Sequence, residues 1–203
     1  AQAFYNTAAF NRNVKNFFDK WLLDLAEDQR EDGSVPFVVP NVLGEDAMGS
    51  AGWADAATII PWNAYLNYGD LSALKQHYPS MKKWVQYMES LAENGRYKGG
   101  FHFGDWLFYR PNDDNDGRAA VTSKELIAQS FFTYSVEIIK KAAKALNNKS
   151  DFEYFSALHK VAKKAFKEEF VTPSGRLISE TQTAYVLALQ FNLFPESLKA
   201  QAV

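Results

Sequence analysis

Cysteine is missing from the chain altogether. That excludes a disulfide framework and thiolate metal sites, while leaving the compartment open, because exported proteins also do without cysteine. An excess of charge of either sign is lacking too. A formal net charge of −2 gives no electrostatic case for a nucleic-acid partner or an anionic membrane surface. No apolar run approaches the roughly 20 residues that span a bilayer. Histidine occurs only three times, at scattered positions, so no transition-metal motif is readable and no cofactor is expected. Phosphate-binding loops, dinucleotide fingerprints and the serine-hydrolase elbow are likewise absent.

What is present is apolar bulk with helical spacing. Hydrophobic residues make up 47%, far from the disordered regime and enough to build a core. Phe10, Val14, Phe17, Phe18, Trp21, Leu22 and Leu25 recur at three and four, which predicts one long amphipathic helix ending before Gly33. A prolyl segment, Val35 to Pro40, is extended. A second helix runs from about Gly52 through Ile59, Ile60, Trp62 and Tyr65, and Gly69-Asp70 closes it and caps the next. That next helix carries Leu74, Tyr78, Met81, Trp84, Val85, Met88 and Leu91, with Pro79 expected at the first turn of a restarted helix. Phe101-His102-Phe103 predicts a short strand after three glycines.

Two capping boxes, Thr122 with Glu125 and Ser150 with Glu153, announce two further helices. A last one near Glu180 to Phe191 is apolar on nearly every side and expected to be buried. Long connections (Gly33 to Ala51, Gly95 to Val121) alternate with short ones (Tyr68-Gly69, Asn147 to Ser150). Stacked helical hairpins have this rhythm, with the long loops gathered at one end as the active face. The fold class is all-α. The chain reads as a single domain, 1–203, with both ends internal to a larger helical domain.

Two loops concentrate chemistry. Gly49 to Ala56 contains Trp53 and Asp55, and Phe101 to Leu107 contains His102, Asp105 and Trp106. An indole offers a flat face to the C–H surface of a sugar, a carboxylate accepts hydroxyl hydrogen bonds, and glycine allows close backbone approach. The same residues have structural readings. Asp55 suits a helix N-terminus, Trp53 and Trp106 suit hairpin packing, Asp105 suits a turn cap, and His102 suits a satisfied strand histidine. His77 and His159 read as surface residues. Asn112 to Gly117 alternates oxygen side chains before a glycine as a calcium loop does, but Ser123 stands where the bidentate glutamate belongs, so a solvated acidic loop is expected.

Five strings in order go further. They are Thr7-Ala8-Ala9-Phe10-Asn11 with Phe17 to Leu25; Gly52-Trp53-Ala54-Asp55-Ala56 with Pro61-Trp62; Gly104-Asp105-Trp106-Leu107; Ser123 to Ala128; and Thr181 to Tyr185. Together the chain resembles bacterial α-L-rhamnosidases, glycoside hydrolase family 78. The resemblance implies helical hairpins forming part of an (α/α)6 toroid of the six-hairpin glycosidase type. It also implies a carbohydrate (rhamnoside) substrate hydrolysed with inversion by two glutamates, roughly 6.5–9.5 Å apart to admit a water.

By the same resemblance both glutamates belong to the remaining parts of the parent polypeptide, one before Ala1 and one beyond Val203, so no catalytic residue is expected within the chain. Trp53 and Trp106 match tryptophans of the rhamnose pocket, with Asp55, Asp105 and His102 beside them. Two departures bear on substrate detail: Ala54 stands where the family often has glycine, and the Asn112 to Arg118 loop is idiosyncratic.

Overall fold

In a computed structural model, which describes residues 1–44, 46–106 and 121–201, seven α-helices are linked by alternating short and long connections. They are α1 (Gln2–Asn11), α2 (Lys15–Asp28), α3 (Ala56–Tyr68), α4 (Leu71–Ser90), α5 (Lys124–Ala145), α6 (Lys149–Phe170) and α7 (Gln182–Gln190). A two-stranded hairpin, β1 (Ala92–Glu93) and β2 (Arg96–Tyr97), and a 3-10 turn at Glu196–Gln201 complete the described elements. The acidic loop Asn112 to Arg118, and Leu107 of the third string, lie outside the described residues.

The hairpins close as their turn residues dictate. Gly69 takes the left-handed conformation (φ 65°) that ends α3, and the Asp70 carboxylate accepts from the N–H groups of Ser72 and Ala73 to start α4. Asn147 (φ 57°) does the same between α5 and α6. α3 packs on α4, α4 on α5, and α5 along the whole of α6. The seam between them is filled by Met81, Trp84, Met88, Phe132, Val136, Ile139 and Phe155, none more than 1% exposed. Each such side chain contributes about 1.5–3 kcal/mol relative to remaining in water. Smaller clusters join α1, α2 and α3 around Tyr5, Phe18 and Ile60, and join α5, α6 and α7 around Phe166, Leu177 and Phe194.

Several expectations are corrected. The first amphipathic stripe is two helices, because Asn13 Oδ1 accepts from the Lys15 N–H and the Val14 N–H is drawn to the Tyr68 hydroxyl, which breaks the ladder. Phe10 and Phe17 lie 90% and 67% exposed. Pro79 sits inside a continuous α4: it forfeits one hydrogen bond, but burial of Leu74, Tyr78, Met81, Trp84, Val85 and Met88 along one face outweighs that loss. The N-caps are Ser123 and Asn148, accepting from Leu126 and Asp151, so both capping boxes are misplaced by one or two residues.

Phe101 to Phe103 forms no strand; the paired strands flank Asn94-Gly95 instead (φ 52° and 81°), the dipeptide a tight hairpin turn requires. α7 buries Ala184 and Ala188 but exposes Val186. His77 is buried, 3.8 Å from Asp19 Oδ1, and His159 lies 3.3 Å from Lys140 Nζ, so neither is a solitary surface group.

Because the helices alternate in direction, the long connections after α2, α4 and α6 emerge at one end of the bundle. Contacts between them confirm it: Ala51 with His102, Ser50 with Phe103, Thr122 with Thr181 and Ser123 with Ser179.

Candidate functional site

Phe103 is the hinge of the loop end. Its ring lies 4.7 Å from Trp53 (tilted 39°) and 5.2 Å from Trp106 (edge-on, 85°). It also touches Phe37 at 4.9 Å and Phe101 at 5.0 Å. Edge-to-face and tilted pairs at these separations fix ring orientation, because the positive edge of one ring meets the negative face of the next. The two tryptophans singled out in sequence, 53 residues apart, are thus brought together on one intervening ring. Trp106 remains 42% exposed.

Trp53 and Phe37 also line a cleft of about 540 Å³ bounded by Gln2, Trp21, Leu25, Val35 and Gly52. The cleft is large enough for a monosaccharide unit. Among the described residues lining it, no side chain is a carboxylate or a cation. Lys124 Nζ stands 5.4 Å over the outlying Phe101 ring.

The polar members of the predicted set hold the loops in place. His102 Nδ1 accepts the Ala51 N–H at 3.1 Å, and its other nitrogen lies 2.8 Å from the Gly99 carbonyl. The first bond requires a bare Nδ1, so the proton is on Nε2 and is donated to Gly99. Burial pushes the imidazole below its ordinary range, which favours this neutral form.

Asp105 accepts at Oδ1 from the Val121 N–H (2.8 Å) and at Oδ2 from the Thr122 N–H and hydroxyl (3.1 and 2.7 Å). With its own proton spent on Asp105, the Thr122 hydroxyl accepts from Thr181 Oγ1 at 2.6 Å, and Thr181 caps α7. Asp105 therefore ties the Trp106 loop to the starts of α5 and α7.

Asp55 is fully buried. Its Oδ2 accepts from Gly52 N–H at 2.8 Å, and its Oδ1 from Trp84 Nε1 at 3.0 Å and Ser135 Oγ at 2.5 Å. The expectation of a hydroxyl contact is corrected for this residue, since a carboxylate without exposed surface cannot meet a sugar. Burial raises its pKa, opposed by the bonds from Ser135, Gly52 and Trp84.

The residues that sequence reasoning missed are Phe103 and Phe37. Phe103 is one of two aromatics flanking His102 in the sequence, and the alternation that predicts a strand there gives it no role in joining the two loops. Phe37 sits in a prolyl segment with no local signal. Among the described residues no group of three or more His, Cys, Asp or Glu could hold a metal ion, and no helix is long and apolar enough to cross a membrane.

Comparison with known proteins agrees with the geometry. A family model described as the bacterial alpha-L-rhamnosidase 6 hairpin glycosidase domain matches residues 1–203. An alpha-L-rhamnosidase of Alteromonas sp. is 40% identical over 202 residues, covering 97% of this chain and 22% of that protein. One of Formosa agariphila is 37% identical over 204 residues, covering 100% of this chain and 22% of that protein.

The crystal structure of Streptomyces avermitilis alpha-L-rhamnosidase complexed with L-rhamnose is similar with a TM-score of 0.87 at 33% identity, over 99% of this chain and 18% of that one. The chain thus spans about a fifth of the length of the relatives it matches. Its helical hairpins are part of an all-α six-hairpin toroid, and the chain belongs to the bacterial α-L-rhamnosidase six-hairpin glycosidase family.

Proposed function

We propose that the polypeptide containing this chain hydrolyses terminal α-L-rhamnosyl residues with inversion, and that residues 1–203 supply one wall of the sugar site. The observation that carries this is the Phe103-centred cluster, which joins Trp106 through one ring to Trp53 in the lining of a cleft whose described residues carry no ionisable side chain. A neutral deoxy sugar suits such a wall: its methyl and C–H faces stack on indole, and no charged group needs desolvation. Trp53 and Trp106 make the sugar contacts, while His102 and Asp105 hold the loops that carry them.

Inversion needs an acid and a base spaced to admit a water. The described residues of the cleft lining offer neither, and both are assigned to other parts of the polypeptide, which with this chain form one toroid.

A panel of nitrophenyl glycosides tests the reading, run on this chain and on the full-length polypeptide. Turnover of the α-L-rhamnoside by the full-length polypeptide alone is expected. Turnover by this chain alone overturns the placement of acid and base, and hydrolysis of a different glycoside overturns the substrate.

A further inference from the structure

Asp55 is an ionisable group with no exposed surface and no ion-pair partner among the described residues. A carboxylate in that position is costly to keep, since an apolar residue would fill the space without losing hydration. The ordinary explanation for an aspartate at the start of a helix is capping, and it fails here. Asp55 is the N-cap of α3, yet its side chain makes no cap hydrogen bond. Its two oxygens are divided instead. Oδ1 faces the helical core, held by Trp84 on α4 and Ser135 on α5. Oδ2 reaches back to the N–H of Gly52, the residue before Trp53.

We propose that Asp55 is a positioning residue that fixes the Trp53 indole for sugar binding by anchoring the Gly52 N–H to the helical core. This rests on the reading that Trp53 lines the rhamnose site. Gly52 needs such an anchor because it has φ +82°, a region where glycine is free and other residues are strained. The turn around it, from Ser50 to Ala54, is closed within itself by the Trp53 and Ala54 N–H groups on the Ser50 carbonyl. His102, Phe103 and Gln2 hold Ala51, Ser50 and the Gly52 carbonyl, and leave the Gly52 N–H to Asp55. Without Oδ2, the turn could rotate and carry Trp53 off Phe103. The carboxylate suits the role because it accepts on both sides at once. An amide in its place has one accepting oxygen and one NH2, and sets N–H against N–H at either Gly52 or the Trp84–Ser135 pair.

The test uses the full-length polypeptide and four variants, read by KM and kcat on the nitrophenyl α-L-rhamnoside, by the Kd of L-rhamnose, and by Tm. Asp55→Asn is expected to raise KM and the L-rhamnose Kd about tenfold with kcat within about threefold, the pattern of lost uniform binding. Ser135→Ala removes a donor from Oδ1 and leaves Gly52 alone, so it lowers Tm while KM stays within about twofold.

Gly52→Ala disturbs the same turn without touching the buried carboxylate, so it reproduces the KM rise even if Asp55→Asn does not fold. KM rising in step with lost Tm in both Asp55→Asn and Ser135→Ala makes Asp55 merely structural and overturns the proposal, as does an unchanged KM in Gly52→Ala. Trp53→Ala separates the two levels: if it leaves KM and the rhamnose Kd unchanged, the site reading itself fails.

Discussion

Asp55 and His102 take the N–H groups of two consecutive residues, Gly52 at 2.8 Å and Ala51 at 3.1 Å. One acceptor comes from the start of α3 and the other from the loop after β2. The segment carrying Trp53 is therefore clamped from both sides, and the third clamp, the Phe103 N–H on Ser50 Oγ, brings in the ring on which Trp53 rests.

Phe103 has no polar atom in its side chain, yet its removal should affect sugar binding. Each aromatic pair contributes about 0.5–1.5 kcal/mol beyond area burial, and Phe103 makes such pairs with both tryptophans. Phe103→Ala in the full-length polypeptide is expected to raise the L-rhamnose Kd about tenfold, a loss of about 1.4 kcal/mol. Phe101→Ala, at a ring 55% exposed, should change it far less. Isothermal titration of both variants decides the order.

Acid should destabilise the chain before most carboxylates titrate. Burial depresses His77, His102 and His159, the last to about 4 from an ordinary 6.5. The fold keeps these rings neutral, so the unfolded chain binds more protons once the pH falls below 6.5. Their contribution is complete above that value and is lost as pH falls below it, that of His159 as pH drops toward about 4. Asp55, raised by burial, acts the other way and favours the fold at low pH. Urea midpoints should fall across this window, and His159→Gln should flatten the fall; a midpoint that rises there contradicts the assignment.

Gln129 should be among the most sensitive buried positions. Its Oε1 accepts the Tyr97 N–H at 2.7 Å, and its Nε2 donates to the carbonyls of Gly95 and Ala162 at 2.9 and 3.0 Å. It thereby pins the β-hairpin between α5 and α6. Gln129→Leu conserves bulk but strands one donor and two acceptors, and is expected to cost about 2–4 kcal/mol in chemical denaturation.

Gly33 should tolerate no side chain. A Cβ there would lie 2.3 Å from the Lys83 carbonyl oxygen, a backbone atom, and φ is +94°. Gly33→Ala is expected to destabilise by about 1–3 kcal/mol from strain alone. Gly44→Ala, with open space around it, isolates the φ cost, and a Tm difference between the two measures the clash.

Local chemistry carried well. Asp70 caps α4 and Gly69 turns left-handed because the residue type alone sets those preferences. The apolar face of α4 lies where its periodicity puts it. Boundaries carried less well: Asn13 and Asn148 captured backbone donors by side-chain bonds that compete with any cap, and Pro79 was outweighed by burial several residues away. Asn94-Gly95 was a legible hairpin signal, obscured by the more aromatic segment beyond it.

The sequence by itself determined the helix class, the hairpin rhythm and the family, and pointed to the two loops of the candidate site, because periodicity, turn residues and ordered strings are local properties of the chain. Only the tertiary structure decided the roles within those loops. Asp55 and Trp53 stand two residues apart, and nothing local says that one is sealed against Trp84 and Ser135 while the other faces a cleft. Nor does spacing reveal that Phe103 joins Trp53 to Trp106. Exposure and ring contacts depend on which distant segments arrive, and those arrivals follow from the alternating directions of α2 to α6, which bring loops tens of residues apart to one end of the bundle.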